Sequence, residues 1–505
     1  GKSSVNTAPE GEGKLRYVLL MCRPTYDFRR VTPSVAAMKI PTLPAWFTEN
    51  GLNDNACYTT DDIMAFLEDN SGVNMGRDRL SVALGRLPVT SQRDAKAAVD
   101  KILAYAGKSP EGLWRNNIVI LADDKNSGLH MKQADEMVTN MENSHKIEGS
   151  GGIYKKIYID EYELISNTYP EARNQLYRGL DEGALLWTFI GHANPSSLTA
   201  EKVVTYTDLN NLYLRHWPVI YAATCDFLRW DSNTTSGAEI LFRNPTGGVI
   251  AAISAVRPVY IGNNGMLSAS LGAQFFKRDA NGRQRTIGEI YRMTKVLFNN
   301  INGDGMTMTT SDTNKLRYVL LGDPAMRLLY PNNIVNLTEV GGMPVVDADG
   351  DDEPATLKAR QNTSLKGSVT SPDGRVLADF TGTVTATLYD ADQSAVSKGW
   401  SSSNDEGIEY AFDKMGGRLL VGTAKVTNGE FEMPLSMPAE VANNYRPATI
   451  NLYAQAEDGR RANGVCRDVY VYGTDEAATP DSNPPVIESI YLNHSSFKEW
   501  QTVNP

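Results

Sequence analysis

The sequence predicts an α/β domain, with a mostly parallel sheet sandwiched by helices, followed by an immunoglobulin-like β-sandwich. In the first 330 residues, short apolar runs alternate with helical stretches, and the runs show no regular polar alternation. Such runs are typical of strands buried on both faces, as in a parallel sheet covered by helices. After residue 356 the runs become short and alternating and are separated by turn sequences, which is typical of an antiparallel sandwich.

Length, composition and charge limit the classes of protein. A chain of 505 residues is too long for one core and predicts several domains. With 41% hydrophobic and 22% charged residues, the composition is that of a folded globular protein. The net charge of -11, without a dense Lys/Arg cluster, argues against a nucleic-acid partner. Four cysteines with no CxxC pair predict neither a disulfide scaffold nor a structural zinc site.

Seven apolar runs predict the strands of the first domain, at residues 15–21, 118–122, 154–159, 185–190, 219–224, 249–254 and 316–321. Residues 91–106 predict a helix, because apolar residues recur there at spacings of three and four. Ser91, with Asp94 three residues later, resembles a capping box at the start of this helix.

Local composition and hydrophobic pattern predict five segments along the chain. They are a flexible N-terminal segment at 1–14, the α/β domain at 15–330, an acidic linker at 331–355, the β-sandwich at 356–475, and a linker with the start of a further β element at 476–505. The sandwich strands are predicted at 364–370, 382–388, 419–426, 448–456 and 467–471. The first 14 residues lack the apolar core of a signal peptide, so they suggest either a cytosolic protein or an export signal removed upstream.

Two of the apolar runs end at residues that can carry catalysis. The run at 185–190 is followed by Gly191 and His192, and the run at 219–224 is followed by Cys225. Since ligands bind at the carboxyl ends of parallel strands, these runs place an imidazole and a thiol at the same edge. The pattern predicts a nucleophilic Cys225 with His192 as its acid–base partner. The alternative is that Cys225 is an ordinary small buried residue.

The motifs WTFIGHA and IYAATCD resemble those of the gingipain family of cysteine peptidases, within the caspase-like clan. The blocks RLSVALGRLPV, WRNNIVILADD, NPTGGVIAAISAVRP and YVLLGDPAMRLLYP extend the resemblance, which covers most of residues 15–475. In the β region, the blocks SVTSPDG, NGEF and PPVIESIYLN are similar to those of the gingipain-like sortases of the type IX secretion system. The resemblance implies a caspase-like peptidase domain with a trailing immunoglobulin-like domain.

The resemblance also implies a mechanism. Cys225 attacks a peptide carbonyl to form a thioester, while His192 protonates the leaving amine. The backbone N–H groups of Ala193 and Cys225 form the oxyanion hole. The family places a carboxylate near the histidine at the end of an earlier strand, and Asp123, with Asp124 next to it, is the candidate here. An Asp after a strand also commonly caps the following turn, so both roles stay open for Asp123.

Four more residues are candidates for substrate binding. Arg257 follows a predicted strand at the same edge and is suited either to a substrate carboxylate or carbonyl or to a structural ion pair. Tyr260 and Trp230 are candidates to line the pocket, with core packing as the alternative. Ser127 lies where arginine-specific gingipains have an acidic residue, so the resemblance implies small or uncharged residues before the scissile bond.

Two departures from the family pattern support a second hypothesis. Ala193 stands where the family has glycine, and its methyl group would obstruct a position that needs φ > 0. The chain also starts at what should be the last strand of the family's first subdomain. The alternative function is therefore a catalytically inactive homologue that acts as a cell-envelope binding or assembly module. A carbohydrate-binding role for the β domain has no aromatic stripe in its favour.

No cofactor is required by this chemistry, and no metal site is assigned. The acidic run at 347–353 alternates carboxylates as calcium loops do, but its glycine is at the fourth position and Lys358 is at the twelfth. An interdomain linker is therefore favoured there, and structural calcium is left open. The resemblance implies protein or peptide substrates, an amine-bearing glycolipid acceptor and outer-membrane secretion components as partners. It also implies a secreted or surface location, associated with the outer membrane of a Gram-negative bacterium.

Overall fold

The computed structural model describes residues 15–24, 43–46, 57–108, 110–149, 151–301, 313–346, 353–399 and 408–478. The predicted N-terminal segment at 1–14 and most of the predicted tail at 476–505 lie outside the described residues.

The first domain contains the strands β1 (Tyr17–Met21), β2 (Leu43–Trp46), β3 (Cys57–Thr60), β4 (Ala83–Leu87), β5 (Asn117–Ala122), β6 (Ile153–Tyr158), β7 (Leu186–Ile190), β8 (Ala193–Asn194), β9 (Ser197–Leu198), β10 (Val219–Ala223), β11 (Ala251–Ala255) and β12 (Tyr318–Leu321). Eight of them form one sheet in the order β1-β4-β12-β11-β10-β7-β5-β6. All neighbours in this sheet run parallel except β11 and β12.

The helices that cover this sheet are α1 (Gln92–Lys108), α2 (Leu129–Glu148), α3 (Pro170–Asp181), α4 (Tyr206–Asn211), α5 (Gly237–Arg243), α6 (Ile261–Phe275) and α7 (Ile287–Ile301). Alternate residues of a strand enter opposite cores: Ile118 and Ile120 of β5 pack with α2, α6 and α7, whereas Val119 and Leu121 pack on the face of α1, α3 and α5. This burial on both faces is why the strands are continuously apolar. The predicted mostly parallel sheet between helices is confirmed.

Strand β4 was not among the predicted strands, because Gly85 and Arg86 interrupt its apolar pattern. Both residues have structural reasons to be there. A Cβ at Gly85 would lie 2.4 Å from the carbonyl oxygen of Gly322, so only glycine allows this approach. Arg86 is fully buried and donates to both carboxylate oxygens of Asp61, at 2.8 and 2.7 Å.

The second domain is built from β13 (Asn333–Val340), β14 (Met343–Pro344), β15 (Ala355–Ala359), β16 (Asn362–Thr370), β17 (Gly382–Ala391), β18 (Gln393–Val396), β19 (Ala411–Lys414), β20 (Arg418–Thr427), β21 (Glu430–Ser436), β22 (Pro447–Ala456) and β23 (Arg461–Thr474). Nine of these strands form a sheet in the order β14-β13-β16-β21-β20-β17-β22-β23-β15. A parallel pairing of β13 with β23 closes the sheet into a barrel around one apolar core. The immunoglobulin-like prediction is thus close to the observed all-β domain.

The predicted linker at 331–355 is corrected in part by β13, which lies within it and belongs to the barrel. Its residues alternate between the barrel core, as Val335 and Val340 do, and the outer face. Residues 347–352, which hold most of the acidic run, lie outside the described part of the chain.

Buried polar contacts join the two domains. Asn116, directly before β5, donates from Nδ2 to Asn451 Oδ1 at 2.6 Å and accepts at Oδ1 from Asn463 Nδ2 at 2.5 Å. The hairpin of β18 and β19 reaches back to α2, where the Tyr410 hydroxyl donates to Asp135 Oδ2 at 2.8 Å. The barrel therefore packs against α2 and the start of β5.

Removal of the Arg86 guanidinium is expected to destabilise the first domain strongly. In Arg86→Ala, Asp61 is left as a buried carboxylate without its cation, which typically costs about 3–5 kcal/mol. Urea unfolding followed by circular dichroism measures the loss. The matched control is Lys96→Ala, since Lys96 forms an exposed pair with Asp100 on α1 and should change stability by less than about 0.5 kcal/mol. Equal effects of the two variants would contradict the structural role of Arg86.

Candidate active site at the carboxyl edge of the sheet

The strand register brings His192 and Cys225 into one row. Ile190, the last residue of β7, pairs with Ala122 on β5 and with Ala223 on β10. His192 and Cys225 each follow two residues after this row. Because adjacent strands lie roughly 4.8 Å apart, the imidazole and the thiol emerge side by side at the carboxyl edge of the sheet.

Both side chains lie on the face that α2 and α6 cover. The Cys225 sulfur accepts the backbone N–H of Val259, just before α6, at 3.3 Å. The His192 Nε2 contacts the Asn126 Oδ1, just before α2, at 2.7 Å. His192 is exposed and Cys225 is half-buried, so neither points into the apolar interior. A substrate that crosses this edge can reach both groups.

Asp123 fixes the main chain of the histidine rather than its ring. Its fully buried carboxylate accepts the His192 backbone N–H at Oδ2, at 2.8 Å, and the Asp124 N–H at Oδ1, at 3.1 Å. Burial, followed by the charge of Asp124, raises the pKa of Asp123 well above its ordinary value. A Cβ at Gly191 would lie 2.3 Å from the Asp123 Cβ, which explains why glycine precedes the histidine.

Asn126 holds the imidazole ring, whereas Asp123 was the sequence candidate for a carboxylate near the histidine, with turn capping as the alternative. The Asn126 Oδ1 lies 2.7 Å from His192 Nε2 and 3.1 Å from His130 Nε2. Since an amide oxygen can only accept, Nε2 of His192 carries the proton and Nδ1 is left as the base. Asn126, Ser127 and Gly128 all have positive φ, of 59°, 54° and 73°, which forms the tight turn into α2.

The environment of the Cys225 thiol favours its neutral form. Burial raises the pKa of Cys225 above its ordinary value and Asp226 adds to the effect, while the Val259 N–H and Arg317 oppose it. A thiol with a raised pKa is a weak nucleophile on its own, because the thiolate is the reactive form. Attack by Cys225 therefore needs a base to take its proton, and Nδ1 of His192 is suited to that role.

Ala193 presents a backbone donor beside the histidine. The Thr199 N–H donates to the His192 carbonyl at 3.0 Å, and the Leu198 N–H donates to the Val204 carbonyl at 3.0 Å. Ala193 and Leu198 are thus a non-hydrogen-bonded pair of the β8–β9 hairpin, which directs the Ala193 N–H away from β9. Ala193 lies in an extended strand, so this position does not need positive φ and the alanine methyl is compatible with the backbone.

Two of the predicted substrate-binding residues lie at the site. Tyr260 is 40% exposed and lies directly before α6, next to the Val259 amide that contacts the thiol. Ser127 is exposed in the turn next to Asn126.

The pocket roles predicted for Arg257 and Trp230 are corrected. Arg257 is buried and its Nη1 and Nη2 donate to both carboxylate oxygens of Asp231, at 2.8 and 2.6 Å. Trp230 is fully buried, and its Nε1 donates to Thr59 Oγ1 at 2.8 Å. Both residues fasten the loop after Cys225 to the core through these buried hydrogen bonds.

Sequence reasoning missed Asn126 and Arg317. The Arg317 guanidinium lies over the ring of Tyr260, 5.3 Å from its centre, and donates to the Pro258 carbonyl. It therefore stiffens the segment that carries the Val259 amide. The segment Asn126-Ser127-Gly128 follows a buried strand and consists of residues that favour tight turns. This pattern could have drawn attention to Asn126. Arg317 lies at the start of a predicted strand and gave no such signal.

A thiol and an imidazole on neighbouring strand ends are the arrangement of groups that cysteine peptidases use. The chain belongs to peptidase family C25, the gingipain family, whose family model matches residues 2–329. Protein or peptide substrates follow from this membership.

Among solved structures, the chain is similar to gingipain R (RgpB), an Arg-specific cysteine proteinase, with 15% identity and a TM-score of 0.48, covering 92% of this chain and 85% of that one. The complex of RgpB pro- and mature domains from Porphyromonas gingivalis gives the same identity and TM-score, with 92% and 87% coverage. Dimeric latent PorU from Porphyromonas gingivalis shares 22% identity, with a TM-score of 0.37; the match covers 97% of this chain and 39% of PorU. No curated protein matches the chain.

Among the described residues, no helix has the length and apolarity to cross a membrane.

Substitution of Ala193 by glycine is expected to leave peptide hydrolysis nearly unchanged. The residue is extended and its amide already points away from β9, so removal of the methyl opens no required conformation. Steady-state kinetics on a cleaved peptide should show kcat/KM within about twofold of the wild type. A large gain in kcat would show instead that the methyl crowds the oxyanion hole.

The variant Asn126→Ala is expected to lower kcat by at least about tenfold with little change in KM. The reason is that the His192 ring loses the acceptor that fixes its tautomer. Asn126→Asp restores an acceptor and should recover much of the rate. Its added charge should also raise the apparent pKa in the kcat/KM profile.

Asn210→Ala on the exposed side of α4 is the matched control. Full activity in Asn126→Ala would contradict the positioning role.

Proposed function

We propose that this chain is a cysteine endopeptidase that forms a thioester acyl-enzyme and removes C-terminal sorting domains from proteins exported by type IX secretion. The observation that carries the proposal is the placement of Cys225 and His192 in one row at the open edge of the sheet. Membership of the gingipain family supports the chemistry. The resemblance of the blocks SVTSPDG, NGEF and PPVIESIYLN to those of type IX sortases supports the substrate class.

The geometry supports a sequence of proton transfers. Nδ1 of His192 takes the proton of the Cys225 thiol, and the sulfur attacks the scissile carbonyl. The N–H groups of Ala193 and Cys225 hold the resulting oxyanion, each worth roughly 3 kcal/mol. His192 then returns the proton to the leaving amine, and a thioester remains on Cys225. Water or a second amine completes the turnover.

Two fixed contacts keep His192 ready for these steps. The buried Asp123 holds its backbone N–H, and Asn126 holds its Nε2. The ring is therefore oriented before substrate binds, so less of the binding free energy is needed to order it.

The residues around the thiol favour small or uncharged side chains before the scissile bond. Ser127 supplies no negative charge in the turn next to Asn126, and Arg257 is neutralised by Asp231. Tyr260 offers an exposed aromatic face beside the thiol. Neither Ser127 nor Tyr260 supplies a carboxylate that would select an arginine or lysine side chain.

A more specific proposal is that the enzyme catalyses transpeptidation. If the amine that resolves the thioester belongs to a surface glycolipid, the enzyme joins the trimmed protein to that glycolipid. This activity would place the protein outside the cell or on the outer membrane of a Gram-negative bacterium, with secretion components of that membrane as partners. The thioester permits both hydrolysis and ligation, because water and amines compete for the same carbonyl.

One observation favours the alternative of an inactive binding or assembly module. Within the described part of the chain, Cys225 pairs with the Val259 amide and His192 pairs with Asn126, so the two catalytic groups share no direct hydrogen bond. A neutral thiol that is held in this way is compatible with a retained but silent site. Chemical labelling of Cys225 distinguishes the active peptidase from the inactive module.

A peptidyl acyloxymethyl ketone is expected to label Cys225 selectively. Labelling should fall sharply in His192→Ala and should increase from pH 6 to pH 9, because the raised pKa of the thiol keeps it protonated at lower pH. Cys466 is the internal control, since burial raises its pKa to about 12. Tryptic mass spectrometry quantifies both sites. Equal, His192-independent labelling of Cys225 and Cys466 would favour the inactive module.

Mass spectrometry after incubation with a peptide library then identifies the cleaved bond and any amine adduct. Cys225→Ala should abolish both products while leaving the melting temperature nearly unchanged. A collapse of folding in that variant would mark the thiol as a packing residue.

A further inference from the structure

A hairpin of the second domain stands at the catalytic edge of the first domain. It consists of β18 and β19 with the residues that flank them, 393–399 and 408–414. Ala395 and Phe412 of this hairpin are buried in the apolar core that α2 and α6 share with the sheet. The centre of the Phe412 ring lies 4.5 Å from that of Tyr158, the last residue of β6. The hairpin is therefore packed into the first domain, although the chain enters it from the barrel.

Hydrogen bonds hold the hairpin at the strand row that also positions the catalytic groups. The last residues of β6, β5 and β7 pair in one row. Asp160 follows this row by two residues after β6, as His192 does after β7. The backbone N–H of Lys398 donates to the Asp160 carbonyl at 2.8 Å, and that of Gly399 donates to Asp160 Oδ2 at 2.8 Å. The hairpin thus lies at the carboxyl edge of the sheet.

Charged groups fasten the outer strand of the hairpin as well. Lys414 forms an ion pair with Glu161, which follows β6. The Lys156 ammonium, on β6 itself, donates to the Asp413 carbonyl at 2.8 Å. A surface that is fixed by such contacts loses little conformational freedom when a ligand binds to it.

The hairpin also borders the turn that holds the imidazole. A Cβ at Gly128 would lie 3.5 Å from the Tyr410 Cβ and 3.9 Å from the Ile408 carbonyl oxygen. Gly128 is buried, whereas Asn126 and Ser127 directly before it are exposed. The hairpin therefore covers the end of this turn and leaves its catalytic part open to a substrate.

Ile408 presents apolar surface at this border, because its side chain is 51% exposed. Glu409, the next residue, is exposed as well and carries a negative charge. Adjacent strands lie about 4.8 Å apart, so β6 is roughly 10 Å from β7 across β5. An extended peptide spans about 3.3 Å per residue, so a substrate bound at His192 reaches the hairpin after roughly three residues.

We propose that this hairpin forms one wall of the substrate cleft and that Ile408 binds an apolar side chain of an extended polypeptide, about three residues from the scissile bond. The wall is continuous with the site of Cys225 and His192, which favours a polypeptide substrate as its occupant. Contact with Ile408 is favourable because it removes apolar surface from water. The charge of Glu409 disfavours an acidic side chain there. The identity of the occupant rests on the proposed function.

The direct test is photo-crosslinking in the full chain. Ile408→p-benzoylphenylalanine is combined with Cys225→Ala, and the protein is irradiated with a library of extended peptides. Mass spectrometry should find peptides joined to residue 408 that are enriched in apolar and poor in acidic residues. The control is Val421→p-benzoylphenylalanine in the same background, since Val421 on β20 of the barrel is 54% exposed. Crosslinking that is no more selective at 408 than at 421 would overturn the proposal.

Kinetics give a second readout on a peptide that the wild type cleaves. Ile408→Ser should raise KM at least about threefold with kcat nearly unchanged, because the contact is made equally in the ground state and the transition state. Ile408→Leu keeps an apolar side chain and should retain the KM of the wild type. Val421→Ser should leave KM unchanged. An unchanged KM in Ile408→Ser would refute the role of Ile408, even where residue 408 crosslinks.

The outcomes separate the hairpin from the peptidase. Selective crosslinking at 408 without cleavage of any peptide by the wild type supports the wall and counts against the proposed function alone. Cleavage by the wild type without selective crosslinking refutes the wall and leaves the proposed function intact. The absence of both crosslinking and cleavage refutes both.

Discussion

The hydrogen bond between the His192 backbone amide and the buried Asp123 carboxylate is the contact on which the catalytic edge depends. It joins Asp123, one residue beyond the last ladder pair of β5 and β7, to His192, two residues beyond that pair, and it leaves space only for glycine at position 191. The next strand, β10, ends in the same row, so Cys225 emerges beside the histidine that Asp123 holds. The order of the three parallel strands β5, β7 and β10 thereby sets the order of Asp123, His192 and Cys225 along this edge.

Buried ion pairs fix the segments at the ends of these strands in place. Arg257 is fixed by Asp231 after the nucleophile, and Arg86 is fixed by Asp61 under the neighbouring strands. These ion pairs tie the segments at the edge of the sheet to the elements beneath them. The same construction makes the loops rigid enough to hold the Val259 amide against the thiol. Position, rather than intrinsic reactivity, is what the protein supplies to Cys225.

Much of the fold was predictable because its strands are buried on both faces and leave continuous apolar runs. His192 and Cys225 were predicted as site residues because they directly follow two of these apolar runs, where the strands end. Prediction failed where a polar residue is buried by a partner distant in sequence: Arg86 interrupted a real strand, and Arg257 and Trp230 looked available for substrate. Their partners lie on other elements and leave no local pattern.

The sequence by itself determined the layered architecture, the family, and the two residues that end neighbouring strands, since hydrophobic periodicity and short motifs are local properties of the chain. Only the tertiary structure decided that Asn126 rather than Asp123 contacts the imidazole, and that the hairpin of β18 and β19 borders the turn that carries Asn126. Those assignments depend on a left-handed turn and on distances between separate loops. Such distances are set by the packing of the whole domain, which no local pattern of residues encodes.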